Sequence, residues 1–227
     1  MIDLVRAATT RILDVALPGT CVGCRTEGVP LCRTCAPALD ARLTEPAGVP
    51  IGMPAEIPLP LLQVEWCAPF TGVTRSALHG IKYGAEQRLA EPLGEAVARR
   101  WARVGVGAEV IVQVPVHDDR RRHRGYDQAE LIARVAARRL GLPHVPALRR
   151  ERATIAQFDL DRRDRARNVR GAFVVVDTPA LRATIRGRWV LLVDDVLTTG
   201  STLGACAAAL EAGGAAAVSA ITVARER

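Results

Sequence analysis

Apolar residues along this chain fall into two alternating patterns. Residues 190–193 (Val-Leu-Leu-Val) form an unbroken apolar run, and residues 109–117 carry a second one around Val110-Ile-Val-Gln-Val114. Runs of this length, bounded by polar residues, predict strands buried on both faces. Weaker strand patterns lie at 62–70, 145–148, 172–176 and 217–224. Helical spacing appears between them. Residues 73–83 and 88–104 predict helices, the latter with Leu89, Leu93, Val97 and Trp101 four residues apart. A further helix is expected over 127–140, closed by Gly141-Leu-Pro143, and an Ala-rich one over 203–210, ended by Gly213-Gly214. Residues 177–187 read as a loop with one helical turn. Near the start, Ile2, Val5, Ile12 and Val15 predict a short amphipathic helix over 2–17. Strands alternating with helices indicate an α/β fold with a mainly parallel central sheet.

Between the first helix and the first strand the pattern breaks. Residues 43–62 hold Pro46, Pro50, Pro54, Pro58 and Pro60, with Gly48 and Gly52, which excludes helix over most of the span. The organisation expected is therefore a small N-terminal unit over 1–42, a Pro-rich linker over 43–61 and the α/β domain over 62–227.

Chemistry concentrates after the 190–193 run. Asp194 and Asp195 stand at its end, followed by Val-Leu-Thr198-Thr199-Gly200-Ser201-Thr202 and then the Ala-rich helix. In parallel sheets, ligands bind at the carboxyl ends of strands. A loop of small side chains lets backbone N–H groups and a helix N-terminus approach an anion, and the hydroxyls add donors. Two neighbouring aspartates repel a phosphate but suit hydroxyl donors such as a ribose diol. An anion cradle beside diol acceptors describes a sugar-phosphate site. The bland reading, an Asp-rich turn, leaves both acids without a role.

Two C-x-x-C hooks, Cys21-Val-Gly-Cys24 and Cys32-Arg-Thr-Cys35, lie seven residues apart. This spacing suits a tetrahedral metal site, with Zn²⁺ the expected ion and iron its main rival. Disulfides fit a cytosolic chain poorly. Cys67 and Cys206 stand alone and are expected in the core.

Charge changes the picture modestly. The net charge is +7, carried almost wholly by arginine, since Lys82 is the only lysine. Excess positive charge favours anionic ligands, although solubility alone also accounts for it. Lys82 can reach a phosphate oxygen as a flexible point charge. Arg124, beside Gly125 in the basic stretch 118–126, is the arginine singled out there. Arg120 to Arg122 fit a solvated face equally well. Residues 149–170 form a long Arg-rich stretch containing Gln157 and Arg167, which fits a lid that closes over charged substrates or, on composition alone, a disordered or merely basic loop. No apolar run is long enough to span a bilayer, and charges interrupt residues 1–17, so cytoplasmic location is the default.

The 190–202 stretch resembles the signature of type I phosphoribosyltransferases, which use 5-phosphoribosyl-1-pyrophosphate (PRPP). Over nearly its whole length the chain also resembles the ComF family. That likeness rests on the paired cysteine hooks, Leu78-His-Gly-Ile-Lys82-Tyr83, and Val114-Pro115-Val116-His117 leading into Arg124-Gly125-Tyr126-Asp127-Gln128. It rests further on Arg152-x-Thr154-x-x-Gln157-x-x-Leu160 leading into Arg167-Asn168-Val169, and on the PRPP motif. The family has Asn where this chain has Asp127, and residues 36–66 lack the second set of hooks many members carry. The resemblance implies a type I phosphoribosyltransferase fold with an N-terminal zinc ribbon. It implies that Asp194 and Asp195 hold the ribose hydroxyls, residues 198–202 wrap the 5-phosphate, and Pro115, Val116 and His117 form the pyrophosphate loop. Residues 154–168 would be the flexible catalytic loop, and Mg²⁺ would bridge pyrophosphate and ribose oxygens. Lys82 and Arg124 would stabilise departing charge, and Gln157 and Arg167 would complete the site on loop closure. The activity implied is phosphoribosyl transfer to a nitrogen acceptor. The rival is a non-catalytic PRPP or nucleotide sensor, or a DNA-binding protein of competence acting on single-stranded DNA. Type I members often dimerise, but no stretch here forces it.

Overall fold

Four parallel strands form the centre of the molecule. The computed structural model describes residues 19–48, 58–116, 124–151 and 172–226. In chain order these contain β1 (Val64–Pro69), α1 (Gly72–Tyr83), α2 (Ala90–Val104), β2 (Val110–Gln113), α3 (Gln128–Leu140), β3 (Leu148–Arg150), β4 (Phe173–Val175), α4 (Pro179–Ile185), β5 (Trp189–Leu197), α5 (Ser201–Ala212) and β6 (Ala217–Arg225). The sheet order is β1-β6-β5-β2, and β3 and β4 form a separate antiparallel pair. The expected helix over 2–17 and most of the long Arg-rich stretch lie outside the described residues.

The apolar runs are buried on both faces, as their lack of alternation requires. Leu191, Val193, Ile221 and Ile111 pack with α1, α2 and α3 on one side. Val190, Leu192, Val110, Val112 and Val218 pack on the other side with Leu203, Cys206 and Leu210 of α5. Cys67 and Cys206 are both buried. Helices α2 and α3 cross closely at Gly94, where an added Cβ would lie 2.4 Å from Val135 Cβ.

Three elements differ from the sequence pattern. Strand β5 continues past Val193 to Leu197, because its ladder with the nine-residue β6 runs from Trp189↔Ala217 to Leu197↔Arg225. The two acids therefore sit inside a strand, not in the loop after it. The strand expected at 145–148 divides: His144 bridges beside Ile111, and β3 starts only at Leu148. The loop expected at 177–187 contains α4, started by Pro179 and by Thr178 Oγ1 accepting the Leu181 N–H at 3.4 Å.

Irregular segments meet both outer strands. Arg42 N–H donates to Cys67 O on β1, while residues 143–145 exchange hydrogen bonds with Ile111 on β2. The β1 side is locked by Arg100 from α2. Its guanidinium meets Glu65 Oε2 at 2.7 Å and donates to the carbonyls of Arg42, Glu45 and Pro46 at 2.5, 2.6 and 3.1 Å. Both Arg100 and Glu65 are buried. The start of the Pro-rich segment is thus held on the domain by a buried ion pair. Arg42 and Arg225 approach Trp66, their guanidinium carbons 3.9 and 5.0 Å from its ring centroid.

Candidate active site at the carboxyl ends of the strands

Strand geometry sets the two acids apart. Neighbouring side chains on a strand point to opposite faces. Asp195 faces α1 and α3, where Lys82 Nζ lies 3.0 Å from Oδ2 and Gln128 Nε2 donates to the same oxygen at 2.8 Å. Arg124 Nη1 in turn donates to Gln128 Oε1 at 2.9 Å. Arg124, Gln128, Asp195 and Lys82 form one continuous network.

Asp194 faces the other way, and its Oδ1 accepts the Asp195 N–H at 2.8 Å. Burial, and then the neighbouring Asp195 charge, push the Asp194 carboxyl well above the usual carboxylate range. A raised carboxyl pKa means the folded state binds the proton more tightly than the unfolded chain. Stability from this group is therefore full at acid pH and falls as pH rises through the elevated value. Replacing Asp194 by Asn is expected to raise the melting temperature at neutral pH by about 3 °C or more. The gain should shrink as the pH approaches 4, which differential scanning calorimetry across a pH series would show.

The loop after β5 turns at Gly200, whose φ of 77° is the left-handed conformation that glycine accepts without cost. A Cβ there would also lie 2.7 Å from Pro58 Cγ. Thr199 Oγ1 and Ser201 Oγ pair at 2.9 Å. Helix α5 starts at Ser201, so the N–H groups of residues 201–203 have no intrahelical partners, and that of Ser201 donates to Thr199 Oγ1 at 3.4 Å. Thr198 is exposed, and Thr202 lies in the first turn of α5. A loop of this kind can serve as an anion cradle at the carboxyl end of β5.

On β2, Val114 N–H donates to Val193 O, and the chain then passes through Pro115 to Val116. Asp127 holds this turn. Its Oδ2 accepts the Val116 N–H at 3.2 Å while Oδ1 accepts the Glu130 N–H at 3.1 Å, capping α3. Burial raises the Asp127 carboxyl pKa, opposed by those N–H donors. Tyr126 OH donates to Ile81 O, tying the Arg124 turn to the helix that carries Lys82.

The structure therefore places Lys82 and Arg124 within one network with Asp195. Pro115 and Val116 lie at the end of β2, and residues 198–202 around the cradle. His117, Gln157 and Arg167 lie outside the described residues. Gln128, Tyr126 and Asp127 belong to the family-like stretch, but their residue types alone assign them no role. The available signal was their position at the start of a helix that follows a strand end.

The cysteines converge as their spacing requires. The Sγ atoms of Cys21, Cys24, Cys32 and Cys35 all lie within 4.8 Å of one another, and all four are free thiols. Cys32 N–H donates to Cys21 Sγ at 3.3 Å. Burial opposes a Cys21 thiolate, but the N–H groups of Cys24, Cys32 and Gly23 hold its pKa down to about 6. Burial, and then the neighbouring sulfurs, push Cys35 up to about 12. Four thiols competing for charge in this way fit a cage completed by a cation. Among the described residues no helix is long and apolar enough to cross a membrane.

Known proteins resemble this chain in sequence. The family model of the phosphoribosyl transferase domain matches residues 126–227. The DNA utilization protein YhgH of Escherichia coli K12 is 30% identical over 226 residues, covering 90% of this chain and 96% of that protein. Its Salmonella typhi counterpart has the same identity and coverage. Competence protein F of Haemophilus influenzae is 38% identical over 96 residues, 42% of this chain and 41% of that one. Among solved structures, glutamine PRPP amidotransferase from B. subtilis, complexed with ADP and GMP, superposes with a TM-score of 0.39 at 24% identity. It covers 58% of this chain and 25% of its own.

Proposed function

This chain belongs to the ComF family of type I phosphoribosyltransferase-fold proteins, and we propose that it binds PRPP and transfers the phosphoribosyl group to a nitrogen acceptor. The observation that carries this is the acid pair beside the Thr-Thr-Gly-Ser-Thr cradle, with Lys82 and Arg124 on the same network. The 5-phosphate takes the N–H groups and hydroxyls of residues 198–202. The ribose hydroxyls donate to Asp194 and Asp195. Pro115, Val116 and His117 supply the pyrophosphate loop. Lys82 leaves Asp195 for pyrophosphate as the diol replaces it.

In the transfer, the acceptor nitrogen bonds to C1 and the C1–O bond to pyrophosphate breaks, its electron pair leaving with pyrophosphate. The nitrogen's proton is released to solvent. Lys82 and Arg124 stabilise the departing charge. Gln157 and Arg167 complete the site and exclude water. Mg²⁺, bound with PRPP and taking few direct protein ligands, would neutralise pyrophosphate charge.

Calorimetric titration with PRPP, with and without Mg²⁺, tests this reading. Saturable Mg²⁺-dependent heat supports it, and no binding to a folded chain rejects it. The rival, a non-catalytic sensor or DNA-binding protein, is favoured by the names of the DNA utilization and competence relatives. Salt-dependent DNA retention without pyrophosphate release from PRPP would establish it.

The four-Cys cluster takes structural Zn²⁺ in this reading. One zinc per chain by elemental analysis is the expected result. The Cys24→Ser/Cys32→Ser variant is expected to lose it, and iron in its place would overturn the metal assignment.

A further inference from the structure

Helix α1 carries a second ring-and-cation surface on its exposed side. Its inner face, Thr74, Ala77, Leu78 and Ile81, is buried. The outward stripe is Gly72, Arg75, Ser76, His79 and Tyr83, spaced as neighbours on one helical face. Four of these residues, with Val22 and Arg25 of the four-Cys lobe, line a cavity of about 560 Å³. Arg25 and Arg75 point positive charge into it, and neither has a carboxylate partner among the described residues. The unpaired N–H groups of the first turn of α1 add to that field.

Rings continue from the cavity toward the acid pair. Arg75 lies 6.0 Å from the Phe70 ring centroid, Phe70 lies 6.0 Å from His79, and His79 meets Tyr83 edge-on at 5.6 Å. Tyr83, which is 73% exposed, lies 5.2 Å from the Arg124 guanidinium. Arg124 joins the Asp195 network through Gln128. Among the described residues Tyr83 is met only edge-on by His79 and by the Arg124 guanidinium, so its exposed ring offers a flat surface to a planar ligand. Arg75 and Lys82 are about 10 Å apart along the helix axis. That is the scale of a base with its sugar phosphate.

We propose that this stripe seats the nitrogen acceptor, and that the acceptor is a nucleoside 5′-phosphate. Its phosphate occupies the Arg25–Arg75–His79 cavity and its base stacks on Tyr83, with a ring nitrogen toward the acid pair. The proposal rests on the PRPP reading above for the identity of the reaction, but not for the existence of the anion pocket.

The test titrates the zinc-loaded full chain, without PRPP, with the four common nucleoside 5′-monophosphates and their parent nucleosides. At least one nucleotide should bind about tenfold more tightly than its nucleoside. That preference should weaken with added salt. The Arg25→Gln/Arg75→Gln variant, whose side chains are both exposed, should lose the preference while keeping its melting temperature and PRPP affinity. Tyr83→Ala should weaken nucleoside and nucleotide alike by about tenfold and leave the phosphate preference intact. A parallel arm compares oligothymidylate with and without a 5′-phosphate. The same gain and the same loss in the arginine variant, seen there alone, would place the phosphate on a strand end and overturn the acceptor assignment.

No phosphate preference in the wild type, or one that survives in the arginine variant, overturns the proposal while leaving PRPP binding untouched. A phosphate preference in a chain that fails to bind PRPP overturns the acceptor assignment together with the transferase reading, and leaves an anion pocket alone.

Discussion

Asp194→Asn/Asp195→Asn is expected to weaken PRPP binding by about two orders of magnitude without unfolding the protein. A hydrogen bond to Asp195, which is ion-paired with Lys82, contributes about 1.5–3 kcal/mol, and one to Asp194, which disfavours charge, about 0.5–1.5 kcal/mol. Two lost together correspond to roughly 30- to 2,000-fold. The melting temperature of the variant separates lost contacts from lost fold: Asp194 in its folded setting disfavours charge, so its amide replacement is expected to offset the loss of the Asp195–Lys82 pair. Lys82 loses its 3.0 Å partner in the same variant and becomes free to meet pyrophosphate, which partly offsets the loss. The single Asp195→Asn variant, which removes that partner but keeps Asp194, should therefore lose less binding free energy than the double variant. Calorimetry on the three proteins checks the order. Equal PRPP affinity in wild type and double variant would remove the acids from the site.

The second large effect is on stability. Arg100→Leu is expected to cost about 3–5 kcal/mol. For a chain of this size that lowers the melting temperature by about 10 °C. The variant strands Glu65, which is 0% exposed, with the Gly48 N–H at 2.7 Å, Gln63 at 3.1 Å and Arg42 at 3.9 Å as its remaining partners. It also leaves three carbonyls of residues 42–46 without their donor. Removing both charges in Glu65→Leu/Arg100→Leu should recover part of the loss, since a buried carboxylate left alone costs more than the absent pair. Thermal unfolding of the single and double variants measures this. A change under 1 kcal/mol for Arg100→Leu would mean that water reaches the pair.

Much of this was legible because the chemistry is local in sequence. The acids, the Thr-Thr-Gly-Ser-Thr loop and the start of α5 are contiguous, so strand, turn and cradle could be read together. The four cysteines needed only spacing. Helix α3 was expected from residue 127, and Asp127 proves to be its cap. The place where the family resemblance has Asn here uses a second oxygen to hold Val116, which an amide nitrogen cannot do.

What could not be read depends on partners distant in sequence. Strand β5 outlasts its apolar run because β6 supplies a ladder of equal length. The opposite facing of Asp194 and Asp195 follows from that extension alone. Gln128 reaches Asp195 across 67 positions, and Arg100 reaches Glu65 across 35. Aromatic residues make up only 4% of the chain, a content that by itself suggests no stacking surface. Phe70 and Tyr83 nevertheless meet around His79, because thirteen positions of strand end and helix bring them together. Composition counts rings but does not locate them.

The irregular segments along β1 and β2 have a consequence for self-association. A parallel sheet with bare outer strands is a template for another copy, and two molecules could join by extending it. Here Arg42 meets one outer strand and residues 143–145 the other. Sheet-to-sheet addition, and the fibrils it seeds, are therefore discouraged on both sides. Contacts between copies are then expected on other surfaces, the helical faces among them, where they can be reversed without unpicking a β-ladder.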